Sequence, residues 1–211
     1  MRETAFPCSQ NLRRSLGYLG ALTLLGILAS GCLTTRSYVD PALGHLAYSD
    51  LTAANAPRPV HLVVDFQTRG KRNLAAANTT YDRVSSVLRS SGLFSAVQAT
   101  AAPDAANLEI VMNNVGDIGK AVSKGIGTGL TLGLVGSMVT DGYEFTATYT
   151  APGKPPVTKT YQHALHTTVG NKQGPPGLKA MSTNEAFDQV VEDLVLHLLR
   201  DLEKDGALGA S

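Results

Sequence analysis

The segment STNEAFDQVVEDLVLHLLRDLEK, residues 182–204, carries the strongest structural signal in the chain. Ser182 and Glu185 have the spacing of a capping box, in which each side chain accepts a hydrogen bond from a backbone amide at the start of a helix. Apolar residues then recur every three or four positions, as on one helical face; they are Phe187, Val190, Val191, Leu194, Leu198 and Leu202. We predict a long amphipathic helix that ends near Lys204, with Gly206 as its stop.

Alternating apolar residues predict the β-sheet against which this helix packs. The first strand lies at 60–66, where Val60, Leu62, Val64 and Phe66 fall on one side. Further strands are predicted at 96–100, 107–115, 142–150 and 157–169. The last two strands form a hairpin, because the turn residues Pro152-Gly153-Lys154-Pro155-Pro156 separate them.

A shorter helix is predicted between the first two strands, capped by Asn78 or Thr79 and ended by Gly92. The order of elements predicts an α+β fold: a twisted, mostly antiparallel sheet with two helices packed on one face, in a single domain over residues 60–206. This order is similar to the periplasmic domains of curli-secretion-type lipoproteins and of lipoproteins that activate peptidoglycan synthases. The similarity is one of topology, and we carry no function over from it.

The N-terminal region has the features of an export signal. Arg13 and Arg14 precede an apolar run from Leu16 to Leu28, and small residues follow. The stretch Leu28-Ala29-Ser30-Gly31-Cys32 resembles the lipobox of a bacterial lipoprotein, with alanine at position 29 where leucine is commoner. The resemblance implies a diacylglycerol on the Cys32 thiol, cleavage before Cys32, and an acyl chain such as palmitate on the new amino terminus. It implies no other cofactor.

The same resemblance implies a domain organisation and a location. Residues 1–31 are then the signal peptide, and residues 32–59, which lack a sustained apolar period, are a flexible tether. Cys8 lies upstream of the cleavage site, so Cys32 is the one cysteine of the mature chain. Leu33 follows it in place of aspartate, which by resemblance implies a lipid anchor in the outer membrane, on its periplasmic face.

Residues 116–141 form a glycine-rich crossover in which positions 125–140 carry no charge. On a helix, Gly125, Gly129 and Gly133 would make one smooth ridge of the kind that lets helices approach closely in membranes. The stretch also alternates like a strand with one face toward lipid. Its glycines suit a buried crossover close to the sheet as well. Membrane contact, subunit contact, a buried crossover and a ligand-holding loop therefore all remain open.

The histidine and acidic residues that could take part in catalysis form no recognisable catalytic motif in the sequence. On a strand, His163 and His166 fall on opposite faces, so we predict structural roles for both, one at the core edge and one in solvent. Asp188, Glu192 and Asp193 are expected on the solvated face of the last helix. We predict no catalytic residue and no metal site. The net charge of +1 and the lack of a basic cluster argue against nucleic-acid binding.

The sequence therefore predicts a non-enzymatic envelope lipoprotein, attached to a membrane by lipid, that acts as a binding or scaffold module. Its partner would be an unidentified envelope protein or a second copy of itself. One alternative is an oligomeric outer-membrane pore or export subunit that uses the glycine-rich segment. The other is a small periplasmic hydrolase or lipid-binding domain, which requires an apolar pocket with convergent polar groups.

Overall fold

The computed structural model of the protein describes residues 34–52, 56–117 and 137–208. The chain separates into two compact units, Met1–Thr34 and Thr35–Ser211, and the elements given below belong to the second. Cys32 and the signal segment lie outside the described residues, as do Gly125, Gly129 and Gly133.

The described residues form a single seven-stranded sheet. Its strands are β1 (Thr35–Val39), β2 (Arg58–Thr68), β3 (Lys71–Arg72), β4 (Phe94–Gln98), β5 (Ala106–Asp117), β6 (Ser137–Thr150) and β7 (Val157–Val169). They are ordered β1-β7-β6-β5-β2-β3, and β4 also pairs with β2. The β2–β4 and β2–β5 pairs are parallel, whereas the other pairs are antiparallel. The predicted α+β class with a mostly antiparallel sheet is confirmed.

Two α-helices accompany the sheet, α1 (Leu74–Ser90) and α2 (Thr183–Lys204). The capping box predicted for α2 is present: the Glu185 amide donates to Ser182 Oγ at 3.2 Å, and the Ser182 amide donates to Glu185 Oε2 at 2.9 Å. The cap predicted for α1 lies five or six residues too far along the chain. Asn73 caps it by accepting from the Ala76 amide, and the first turn, Leu-Ala-Ala-Ala, carries no period that would reveal it.

Both helices pack on the same face of the sheet, as predicted. The Phe187 ring of α2 lies against Phe66 of β2 and Tyr143 of β6. Arg83 of α1 stacks over the same ring, with its guanidinium carbon 5.0 Å from the ring centroid. Side chains that point away from the helices, such as Val63 in β2, remain partly exposed. The core therefore lies between one sheet face and the two helices.

Strand β1 contradicts the flexible tether predicted over residues 32–59. It pairs with β7 along its whole length, from Thr35 opposite Val169 to Val39 opposite Leu165. Tyr38 is buried, and Gly174 approaches its ring so closely that a Cβ there would overlap it. The prediction failed because this five-residue edge strand is mostly polar, and its buried residues Ser37, Tyr38 and Val39 are consecutive and do not alternate.

The glycine-rich segment predicted over residues 116–141 is shorter than expected at both ends. Strand β5 continues to Asp117 and β6 begins at Ser137, so residues 137–141 pair with β7 as ordinary sheet. The remaining residues, 118–136, lie outside the described part of the chain. Among the described residues, neither helix is long and apolar enough to cross a membrane.

A substitution at Tyr38 tests whether β1 is part of the fold. We expect Tyr38→Ala to lower the free energy of unfolding by about 3 kcal/mol, because it removes a buried aromatic ring and leaves a cavity in its place. Arg36→Ala on the exposed part of the same strand should change it by less than about 0.5 kcal/mol. Urea denaturation measures both. A tether would predict no loss in either variant, so an unchanged Tyr38→Ala protein would contradict the described strand.

Candidate functional site

The candidate site is centred on Asp193, a buried acidic residue in the middle of α2. It is only 2% exposed, which contradicts the predicted position on a solvated face. Asp193 lies three residues after Val190 and four before His197, so it shares the side of the helix that meets the sheet. A carboxylate in such a place needs hydrogen-bonding partners, because burial removes its water.

Two histidines from distant parts of the chain supply those partners. His45, which follows β1, places Nδ1 2.6 Å from Asp193 Oδ1. His163 of β7 places Nε2 3.2 Å from Asp193 Oδ2. Nδ1 of His163 is buried and has no hydrogen-bond partner in the described part of the chain. The carboxylate is therefore the single polar anchor of the His163 ring.

A second histidine and aspartate pair lies on the other face of β7. His166 Nε2 is 3.0 Å from Asp40 Oδ2, and its Nδ1 is 2.9 Å from Thr140 Oγ1. The predicted placement of His163 and His166 on opposite faces is thus correct. The predicted exposure of one of them to solvent is wrong, because His166 is only 2% exposed. The pair of His166 and Asp40 joins one face of β7 to the residue that follows β1, and the pair of His163 and Asp193 joins the other face to α2.

A pocket of about 270 Å³ opens beside this cluster. Its walls come from residues 39–45, from the segment before α2, and from α2 itself; they are Val39, Asp40, Pro41, Gly44, His45, Gly177, Leu178, Lys179, Met181, Gln189 and Asp193. The two aspartates already accept hydrogen bonds from histidines. The polar groups left for a bound molecule are therefore chiefly the donors Lys179 and Gln189, together with His45, whose side chain is 58% exposed.

The pocket can orient an imidazole but holds no hydroxyl or thiol nucleophile. A buried carboxylate on Nδ1, as at His45, fixes the ring and leaves Nε2 directed elsewhere, which is the arrangement of acid and base pairs in hydrolases. None of the described residues that line the pocket is a serine, threonine or cysteine. Over residues 34–52, 56–117 and 137–208, no group of three or more His, Cys, Asp or Glu side chains is placed to hold a metal ion.

The neighbouring Tyr143 keeps its proton at physiological pH. It stands opposite His163 in the β6–β7 pair. Burial raises the pKa of Tyr143 to about 12, the charge of Asp141 adds to the increase, and a hydrogen bond with Asn114 opposes it. A neutral phenol therefore lies beside the His163 ring.

Sequence reasoning missed the central residue of this cluster, although a signal for it existed. Asp193 falls within the same helical stripe as Val190 and Leu194, and a buried acid in such a stripe requires a partner. No local spacing connects it with His45, which is 148 residues away. Of the other two acids, Asp188 is exposed and forms an ion pair with Arg83, as expected of a solvated face, whereas Glu192 is half-buried and lies near Tyr48.

No family model matches the sequence, and the search of curated proteins likewise finds no match. Similar solved structures include one described as a homolog of neuraminyllactose-binding hemagglutinin from Helicobacter pylori, with 9% identity, a TM-score of 0.41, and coverage of 76% of this chain and 92% of that one. A PelC dodecamer from Paraburkholderia phytofirmans has 13% identity, a TM-score of 0.31, and coverage of 81% and 96%. Similarity of this degree carries no function to this chain.

Replacing Asp193 tests whether the cluster is buried and coupled. We expect Asp193→Leu to lower the free energy of unfolding by about 3 kcal/mol, since it leaves His163 buried with both ring nitrogens unpaired. Asp188→Leu is the control on the exposed side of the same helix: it removes a surface ion pair with Arg83 and should cost less than about 1 kcal/mol. Thermal unfolding of the two variants makes the comparison, and equal losses would favour the solvated face that the sequence predicted.

Proposed function

We propose that this protein is a lipid-anchored lipoprotein of the bacterial envelope, held on the periplasmic face of the outer membrane and acting there as a non-enzymatic binding module. The proposal rests mainly on the position at which the predicted signal peptide ends. Cys32, the last residue of the lipobox-like stretch, stands three positions before β1 begins at Thr35. Cleavage before Cys32 would remove no element of the compact unit Thr35–Ser211.

With a lipid on Cys32, the short distance along the chain from Cys32 to Thr35 would hold the domain close to the bilayer. Three peptide units span at most about 11 Å. The predicted tether of 27 residues would have allowed an average reach of roughly 30 Å, but β1 takes up the start of that stretch. A diacylglycerol on Cys32 would therefore hold the first strand of the sheet at the lipid head groups.

The pocket beside Asp193 supports a binding role for the domain. It combines the apolar side chains Val39, Leu178 and Met181 with the donors of Lys179 and Gln189. Binding sites for small molecules commonly have this composition, apolar walls with a few fixed polar groups. Because the described pocket lining offers no hydroxyl or thiol nucleophile, we favour binding over covalent catalysis.

Metabolic labelling tests the lipid anchor directly. Cells that express the full chain would be fed an alkyne analogue of palmitate, and we expect label on the wild type and no label on Cys32→Ser. Cys8→Ser is the matched control, because Cys8 lies in the segment that cleavage removes, and it should retain full labelling. Persistent label on the Cys32→Ser protein would overturn the proposed anchor.

One structural observation favours a second candidate, an oligomeric pore or export subunit. Ser137, where β6 begins, stands opposite Val169, and Val169 stands opposite Thr35. Residues 118–136 therefore join the sheet at the start of β6. Only β7 separates β6 from β1, the strand next to the proposed anchor, in the described sheet. In this candidate function, the glycine-rich sequence, which carries no charge over residues 125–136, would lie near the membrane in each copy of the protein.

The size of the protein in detergent tests this second candidate. We expect the wild type to run as a stable oligomer, and Gly129→Leu with Gly133→Leu to reduce it to monomer, because leucine removes a surface on which small residues allow close packing. Thr131→Leu, which falls off the glycine ridge, should leave the oligomer intact. Light scattering after size-exclusion chromatography distinguishes the species, and a monomeric wild type would exclude the pore.

A further inference from the structure

We infer that one end of the sheet docks on anionic lipid head groups. This end, which we name the anchor end, consists of residues 35–36, 137–139 and 169–173. The inference rests on the proposed lipid anchor at Cys32 and specifies which surface of the domain the membrane meets.

Strand register brings the three parts of the anchor end together. Thr35 of β1 pairs with Val169 of β7, and Val169 pairs with Ser137 of β6. Neighbouring strands lie about 4.8 Å apart, so the three positions span about 10 Å. Since Cys32 lies at most about 11 Å from Thr35 along the chain, a lipid there would bring all three strand ends to the bilayer surface.

The composition of the anchor end suits an anionic membrane surface. Its charged residues are Arg36 and Lys172, both exposed, and it contains no acidic residue. Neither cation forms a salt bridge within the described part of the chain. Val139 is 38% exposed, and Met138 and Val169 are half-buried. Basic groups beside partly exposed apolar side chains are the combination that binds the interface of anionic bilayers.

The opposite end of the sheet has a different charge arrangement. There, Lys159 pairs with Asp205 at 2.7 Å, and Lys204 lies 3.7 Å from Asp201. These cations are partly neutralised by neighbouring carboxylates. Lys154, in the β6–β7 turn, is exposed and supplies a matched control at that end.

Two cations alone bind a membrane weakly, so the anchor is what makes this contact effective. Each basic residue near an anionic surface strengthens binding by about fivefold. A free domain would therefore show little affinity. When a lipid holds the domain within reach, the same contacts become intramolecular and act at a high effective concentration. The expected result is a fixed orientation of the lipid-anchored domain.

A single tryptophan can report this orientation, since the chain contains none. The mature chain from Cys32 would be coupled through its one cysteine to a maleimide phospholipid and placed in vesicles that contain phosphatidylglycerol and brominated phosphatidylcholine. We expect strong quenching in Asn171→Trp, at the anchor end, and little in Thr158→Trp, at the opposite end. Equal quenching at the two sites, or stronger quenching in Thr158→Trp, would overturn the inference.

Charge variants identify the cause of the orientation. In the Asn171→Trp background, Arg36→Gln with Lys172→Gln should lower quenching in vesicles with phosphatidylglycerol. The control pair is Lys154→Gln with Arg89→Gln, the latter at an exposed residue in the last turn of α1, and it should leave quenching unchanged. In vesicles of phosphatidylcholine alone, the Arg36→Gln and Lys172→Gln pair should leave quenching unchanged. Unchanged quenching in the first pair would contradict a role for these cations. Because the lipid is attached chemically, these results do not depend on palmitate labelling in cells, and the two proposals can fail separately.

Discussion

The arrangement of the β1–β7 edge of the sheet depends on the hydrogen bonds of the Asp193 carboxylate. This carboxylate lies within the apolar face of α2, where a charge is costly to bury, and its two oxygens each contact an imidazole. One histidine comes from the chain after β1 and the other from β7. The carboxylate therefore fixes the relative positions of three segments that are far apart in sequence. Two of these segments, the residues after β1 and α2, also form walls of the pocket.

The main features of the fold could be predicted because each follows from a local pattern. The capping box of Ser182 and Glu185, the apolar stripe of α2 and the alternation in β2 and β6 are all short-range signals. The mostly antiparallel sheet with two helices on one face follows because the apolar faces of the helices and of the strands must be buried against each other. The first turn of α1 and the edge strand β1 were missed, because an alanine run and a short polar strand lack such a period.

The candidate site was far less predictable than the fold. The contact between His45 and Asp193 joins residues 148 positions apart, and nothing in the spacing of either residue anticipates it. Asp40 and His166 meet across 126 positions. What the sequence did offer was the position of Asp193 inside the helical stripe. That signal indicates a buried acid in need of a partner, although it does not identify the partner.

Strand β1 also has a consequence for the order in which the protein can fold. Ser37 bonds to Thr167 across 130 residues, and β7, the sole strand paired with β1 in the described sheet, is the last strand of the chain. Contacts between such distant positions form slowly, because a long loop must close first. A chain made or threaded from its amino terminus thus exposes β1 first, but β1 can pair only after β7, which ends at Val169, has emerged. Strand β1 would therefore stay unpaired while the chain passes through a narrow channel, and would join the sheet on the far side.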